Sequence, residues 1–166
     1  MVRKTILTTL AAAFVSFSGI CKADCFDDAA RYQRVNPVVL RGIAVVESQN
    51  NPKAINHNKN GSIDFGLMQV NSIHLPELKY YKIHRWDLMN SCKNIYVAAW
   101  LLRRSVNRYG YTWAAVGGYH SNTPRERVQY ANKVRSAIKT ILAAKQQTAR
   151  VASLPPKNVP MLLASD

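Results

Sequence analysis

Pro37-Val38-Val39-Leu40-Arg41-Gly42-Ile43-Ala44-Val45-Val46-Glu47-Ser48 is the stretch on which the reading of this chain turns. Asn36, just before it, is a good N-cap, and Pro37 suits the first helical position, whose N–H has no intrahelical partner. The run predicts a helix from Pro37 to about Ser48. Within it Leu40, Ile43, Ala44 and Glu47 fall at i, i+3, i+4 and i+7 on one face. Three of the four are apolar, so Glu47 stands where packing favours a hydrocarbon. Enclosure there disfavours the ionised carboxylate and raises its pKa from about 4.3. A carboxyl that titrates closer to neutrality is what a general acid requires. Two plainer readings stand beside this one: an exposed Glu at a fraying helix end, or an ion pair with Arg41 or Lys53.

Downstream the sequence turns rich in amides. Asn50, Asn51, Asn56, Asn58, Asn60, Gln69 and Asn71 offer uncharged donors and acceptors suited to sugar hydroxyls and N-acetyl groups. Turn chemistry accounts for some of the same set. Pro52 and Gly61 mark residues 49–65 as an irregular loop or small hairpin. Asp64 lies 17 residues after Glu47 and is a candidate second carboxylate facing it. Its plainer role is a loop Asp capping its own backbone.

Helical periodicity dominates the remainder, with no convincing alternating strand. Short helices are expected over Phe26–Gln33 and from Gly66 to His74, the latter stopped before Pro76. A long helix is expected from Asp87 to Tyr109, with Ile95, Ala98, Ala99, Leu102 and Val106 on one side and Gly110 at its end. Two more are expected over Trp113–Tyr119 and from Pro124 to about Lys145. Residues 24–145 thus read as one mostly α domain. Residues 146–166, with three prolines and no periodicity, read as a flexible tail.

The 166-residue chain carries 23 Lys and Arg against nine acids, a formal charge of +14, with 48% hydrophobic and 19% charged residues. That balance excludes a disordered chain and suits a single domain. Arg3 and Lys4, an apolar run from Thr5 to Ile20, and the small Ala23 have the layout of a secretory signal peptide over residues 1–23. The apolar run is short for a membrane span. Cleavage after Ala23 would leave 20 basic and nine acidic residues, a charge of +11. It would also leave two cysteines, Cys25 and Cys92. An even pair in an oxidising compartment argues for one disulfide, worth about 4 kcal/mol on the chain-entropy model, rather than a zinc site. His57, His74, His84 and His120 lack the spacing of a metal set. The positive charge predicts an anionic partner. Scattered cations and an export signal favour peptidoglycan and membrane surfaces over nucleic acid.

Four blocks in order then carry a family resemblance. They are Glu47-Ser48 with Asn51-Pro52-Lys53-Ala54; Gly61-Ser62-Ile63-Asp64-Phe65-Gly66-Leu67-Met68-Gln69-Val70-Asn71; Ala98-Ala99-Trp100-Leu101-Leu102; and Trp113-Ala114-Ala115-Val116-Gly117-Gly118-Tyr119. Together they resemble the lytic transglycosylase (SLT) domain over roughly residues 25–142. The chain looks most like the small stand-alone members that accompany type III and type IV secretion, conjugation or type IV pili. The resemblance implies a mostly α, lysozyme-like single domain, with a small irregular loop or hairpin beside a glycan cleft. It implies cleavage of the β-1,4 bond between N-acetylmuramic acid and N-acetylglucosamine, leaving 1,6-anhydro ends, without a cofactor. It places the catalytic acid at Glu47, makes Asp64 a second catalytic candidate, and puts Ser48, Gln69, Asn71 and Tyr119 among the substrate-binding residues. It also supports the Cys25–Cys92 pairing and a periplasmic location. The expected partners are glycan strands and components of a secretion, conjugation or pilus apparatus. Two alternatives remain: a hydrolytic muramidase using Glu47 with Asp64, and a non-catalytic basic peptidoglycan-binding scaffold. One departure concerns the site: His120 follows Tyr119 where the family often has Asn.

Overall fold

Helix α1 (Cys25–Gln33) starts at Asp24, whose carboxylate accepts the Phe26 and Asp27 N–H groups. These coordinates are a computed structural model that describes residues 24–153. The expected leader, 1–23, and residues 154–166 lie outside the described residues. Helix α2 (Pro37–Ser48) begins as predicted, with the Asn36 side chain accepting the Val38 N–H at 2.8 Å. It buries Leu40, Ile43 and Ala44 completely. Arg41 donates to Asp24 and Asp27 at 2.9 and 3.0 Å and clamps α2 to the start of α1.

The amide-rich stretch forms a small antiparallel sheet in the order β1 (Ile55–His57), β2 (Ile63–Phe65), β3 (Val70–Asn71). Its register sets Asn56 opposite Asp64, and Asp64 opposite Asn71, in one row. The hairpin reading of 49–65 is the one that forms, and a third strand joins it. Strands of two or three residues are too short to display an alternating pattern.

Three of the expected helices differ by more than one residue. No helix runs from Gly66 to His74; a turn leads into β3, a 3₁₀ turn covers Ser72–His74, and α3 (Leu75–Leu78) follows. Gly66 and Gln69 take positive φ, which breaks a helix. Pro76 lies in the first turn of α3, where a missing N–H costs nothing, and so opens a helix instead of stopping one. The long helix α4 runs Ser91–Tyr109, not from Asp87. Asp87 instead accepts the His84 N–H at the head of a 3₁₀ turn (Arg85–Met89), and Asn90 caps α4 by accepting the Lys93 N–H. After α5 (Trp113–Gly118), helix α6 (Pro124–Ala152) passes the expected end at Lys145 by seven residues. Residues 146–152 of the expected tail are therefore helical; no proline interrupts before Pro155.

Helix α6 packs on α2 and α5, and α4 packs on α1 and α5. Gly117 lets α5 approach α6: a Cβ there would lie 2.2 Å from the Arg127 carbonyl oxygen. The disulfide Cys25–Cys92 ties the starts of α1 and α4, with Cα atoms 5.4 Å apart. Leu40, Ile43, Met68, Leu88, Leu102 and Val134 lie at the centre of the core. Among the described residues no helix is long and apolar enough to cross a membrane.

Candidate active site

The core-facing stripe of α2 ends at Glu47, in the last helical turn. Neither expected cation reaches it, since Arg41 is engaged with Asp24 and Asp27. Its partner is Tyr130 on α6, whose hydroxyl donates to Glu47 Oε1 at 2.5 Å. Burial pushes the Glu47 carboxyl from 4.5 up to about 7; the Tyr130 bond opposes this, the nearby Asp64 charge adds to it, and Lys133 opposes it. The plain reading of an exposed, fraying Glu does not hold. Burial and the Glu47 charge keep the Tyr130 hydroxyl protonated, so it acts as a donor.

Asp64 occupies the middle of the sheet row. Asn71 Nδ2 donates to its Oδ1 at 2.6 Å and Asn58 Nδ2 to its Oδ2 at 2.8 Å. Both amides also donate to Ser62 Oγ, at 3.0 and 3.1 Å. Side-chain amides therefore fix both carboxylate oxygens, and Asp64 does not cap its own backbone.

The other anticipated site residues tie the segment after β2 to its surroundings. Ser48 Oγ donates to the Leu67 carbonyl at 2.7 Å, tying the end of α2 to the Gly66–Gln69 turn. Gln69 is buried; its amide donates to the carbonyls of Gly66 (2.8 Å) and Ala54 (3.2 Å), and its Oε1 accepts from Asn56 (2.9 Å). Tyr119 sends its hydroxyl to the Met68 carbonyl at 2.8 Å. Asn71 Oδ1 accepts the Ile73 N–H and caps the following turn. The polar groups of all four are engaged within the protein, and Tyr119 lies close enough to feel the Glu47 charge. Among the described residues no three His, Cys, Asp or Glu side chains gather as a possible metal site.

Two structural residues escaped the sequence reading. Tyr130 lies on the same α6 face as Val134, and both are buried. A Tyr on such a stripe needs a hydroxyl partner, which was the available signal. Asn94, fully buried in α4, donates to the carbonyls of Phe65 and Leu88 and accepts the Met68 N–H, at 2.9, 2.9 and 2.7 Å. It anchors the sheet and the following turn to the helical core.

Residues 24–142 match the family model described as the transglycosylase SLT domain. The chain belongs to the SLT transglycosylase family. It is 38% identical over 117 residues to "Invasion protein IagB" of Salmonella typhimurium, covering 68% of this chain and 73% of that protein. It is 34% identical over 136 residues to "Protein IpgF" of Shigella flexneri, covering 78% and 90%. It is 38% identical over 133 residues to "X polypeptide" of Escherichia coli, covering 75% and 79%. The helical fold with its small sheet accords with an SLT domain, and the matched region ends within α6. Inside it Ser48 and Tyr119 both bond to carbonyls of the Gly66–Gln69 turn, and Gln69 bonds within it.

Proposed function

We propose that this protein is an exported lytic transglycosylase that cleaves the β-1,4 bond between N-acetylmuramic acid and N-acetylglucosamine in peptidoglycan. The observation that carries the reading is Glu47, a largely buried carboxyl with a pKa near 7 held by Tyr130; the sequence resemblance supports its assignment as the catalytic acid.

In this mechanism protonated Glu47 donates to the glycosidic oxygen as the C1–O bond breaks and C1 becomes oxocarbenium-like. The resulting carboxylate then takes the proton of the same muramic acid's 6-hydroxyl. That oxygen bonds to C1, closing a 1,6-anhydro ring and returning Glu47 to its acid form. No water is consumed. A pKa near 7 serves both halves, since one group must give and accept a proton in turn. Tyr130 donates to Oε1, stabilises the transient carboxylate and fixes its direction. Ser48, Gln69, Asn71 and Tyr119 hold the Gly66–Asn71 segment against α2, α5 and the sheet, and so shape the walls around the carboxyl.

A second reading is hydrolysis. Asp64, with both oxygens oriented by amides, is built to place a fixed negative charge beside C1 or to bond to it. Substituting Glu47→Gln abolishes release of soluble fragments from purified peptidoglycan under either chemistry. Asp64→Asn leaves the rate within about twofold if the N-acetyl group stabilises C1, and lowers it by about 100-fold or more if Asp64 does. Undiminished cleavage by E47Q defeats both readings, whereas no release by wild type itself leaves the scaffold reading.

The signal-peptide layout supports a periplasmic location, checked by a mature amino terminus at Asp24. The chain's likeness to an invasion protein supports local wall opening for a secretion, conjugation or pilus apparatus.

A further inference from the structure

His120 stands where the resemblance often has Asn, and its placement suggests a use. Its imidazole is exposed and lies flat on the Tyr130 ring, with centroids 4.7 Å apart and planes 2° from parallel. Tyr119 also stacks on Tyr130, at 6.5 Å and 23°. Tyr130 in turn meets Glu47 through its hydroxyl. We infer that His120 is a positioning residue that, as a stacked ring, holds the Tyr130 phenol on the Glu47 carboxyl. The inference rests on Glu47 being the acid of the proposed reaction, but it concerns a linkage that exists without substrate.

The physical argument follows from the contacts. A hydroxyl aimed at one carboxylate oxygen across 2.5 Å tolerates little tilt of its ring. The ring is fixed by the atoms on its faces, and parallel-offset aromatic contact is a favourable way to supply them. The Asn common in the family at this position is smaller and not aromatic, so it cannot make this stack. The groups acting on Glu47 are Tyr130 and Lys133 from α6 and Asp64 from β2; its charge in turn acts on Tyr119 at the end of α5. Among these, His120 stacks on Tyr119's neighbour in the stack, Tyr130.

The experiment is a carbon-13 NMR titration of the Glu47 side-chain carboxyl, which needs no substrate and separates this inference from the proposed reaction. Releasing Tyr130 weakens a bond that favours the ionised carboxylate, so the midpoint must rise. His120→Ala is expected to raise it by about half a unit. His120→Phe, which keeps a stacked ring, restores the wild-type midpoint, whereas His120→Asn behaves as Ala. In a Tyr130→Phe background His120→Ala produces no further shift, because the bond it supports is gone. An unchanged midpoint in H120A, the same shift with and without the Tyr130 hydroxyl, or failure of Phe to restore it would each overturn the inference.

Discussion

Tyr130 and Glu47 lie 83 positions apart, yet the Tyr130 hydroxyl donates to Glu47 Oε1 across 2.5 Å, bridging α6 and α2. The bond joins the two helices whose packing encloses the carboxyl. It places a neutral donor, not a cation, on the acid. Arg or Lys in the same place would hold the carboxylate ionised at neutral pH and remove its use as a proton donor. A buried phenol satisfies the group while leaving burial in control of its acidity.

The raised Glu47 pKa makes stability depend on pH in a stated direction. The native carboxyl titrates at about 7 against 4.5 when free, so between those values the folded state binds more protons than the unfolded one. This contribution is full below about 4.5 and is lost as pH rises through about 7. It amounts to a change on the order of 3 kcal/mol. Denaturant unfolding should show wild type losing stability over that window, and E47Q lacking this component. Parallel curves for the two proteins would contradict the assignment.

In the proposed reaction the same titration governs turnover. Release of peptidoglycan fragments should decline as pH rises through about 7, when Glu47 loses its proton. In Tyr130→Phe the carboxylate loses its stabilising donor, and the alkaline limb should move up by about half to one unit. A limb that stays in place in Y130F means that the hydrogen bond does not act on the ionisable acid.

Asn94 predicts a large stability cost far from the chemistry. Replacement by Ala strands the Phe65 and Leu88 carbonyls and the Met68 N–H in the core. The expected loss is about 3 kcal/mol or more, read by urea denaturation. A loss below about 1 kcal/mol would mean that these groups find other partners.

Two glycines with similar positive φ should respond differently to Ala. Gly61 at φ +80 has no atom within 4 Å of an added Cβ, whereas at Gly66, φ +71, that Cβ would sit 2.4 Å from the Leu88 carbonyl oxygen. Gly61→Ala should therefore cost only the conformational penalty, about 1 kcal/mol. Gly66→Ala should exceed it severalfold and displace the turn that carries Gln69. Equal melting temperatures for the two variants would refute the close approach.

Much of this site is legible in sequence because its signals are local. The α2 face Leu40, Ile43, Ala44, Glu47 lies within two helical turns, and Asn36-Pro37 fixes its start. The family blocks then supplied the residues around the acid. What escaped depends on contacts distant along the chain. Tyr130 reads as one more buried aromatic until α6 is folded onto α2. Asn94 reads as a polar residue in a helix until the sheet turn is seen beneath it. Other misses came from choosing between local rules. Pro76 can end a helix or begin one, and Asp87 and Asn90 are both good cap residues, of which Asn90 caps α4. The two- and three-residue strands lie below the length at which periodicity speaks.

The most direct test is mass spectrometry of the muropeptides that the mature protein releases from purified peptidoglycan, with E47Q alongside. The account predicts products ending in 1,6-anhydro-N-acetylmuramic acid, one water lighter than the reducing-end forms, and none from E47Q. Reducing ends from wild type would contradict the intramolecular step and move Asp64 to the centre of the chemistry. Undiminished cleavage by E47Q would contradict the account at its root.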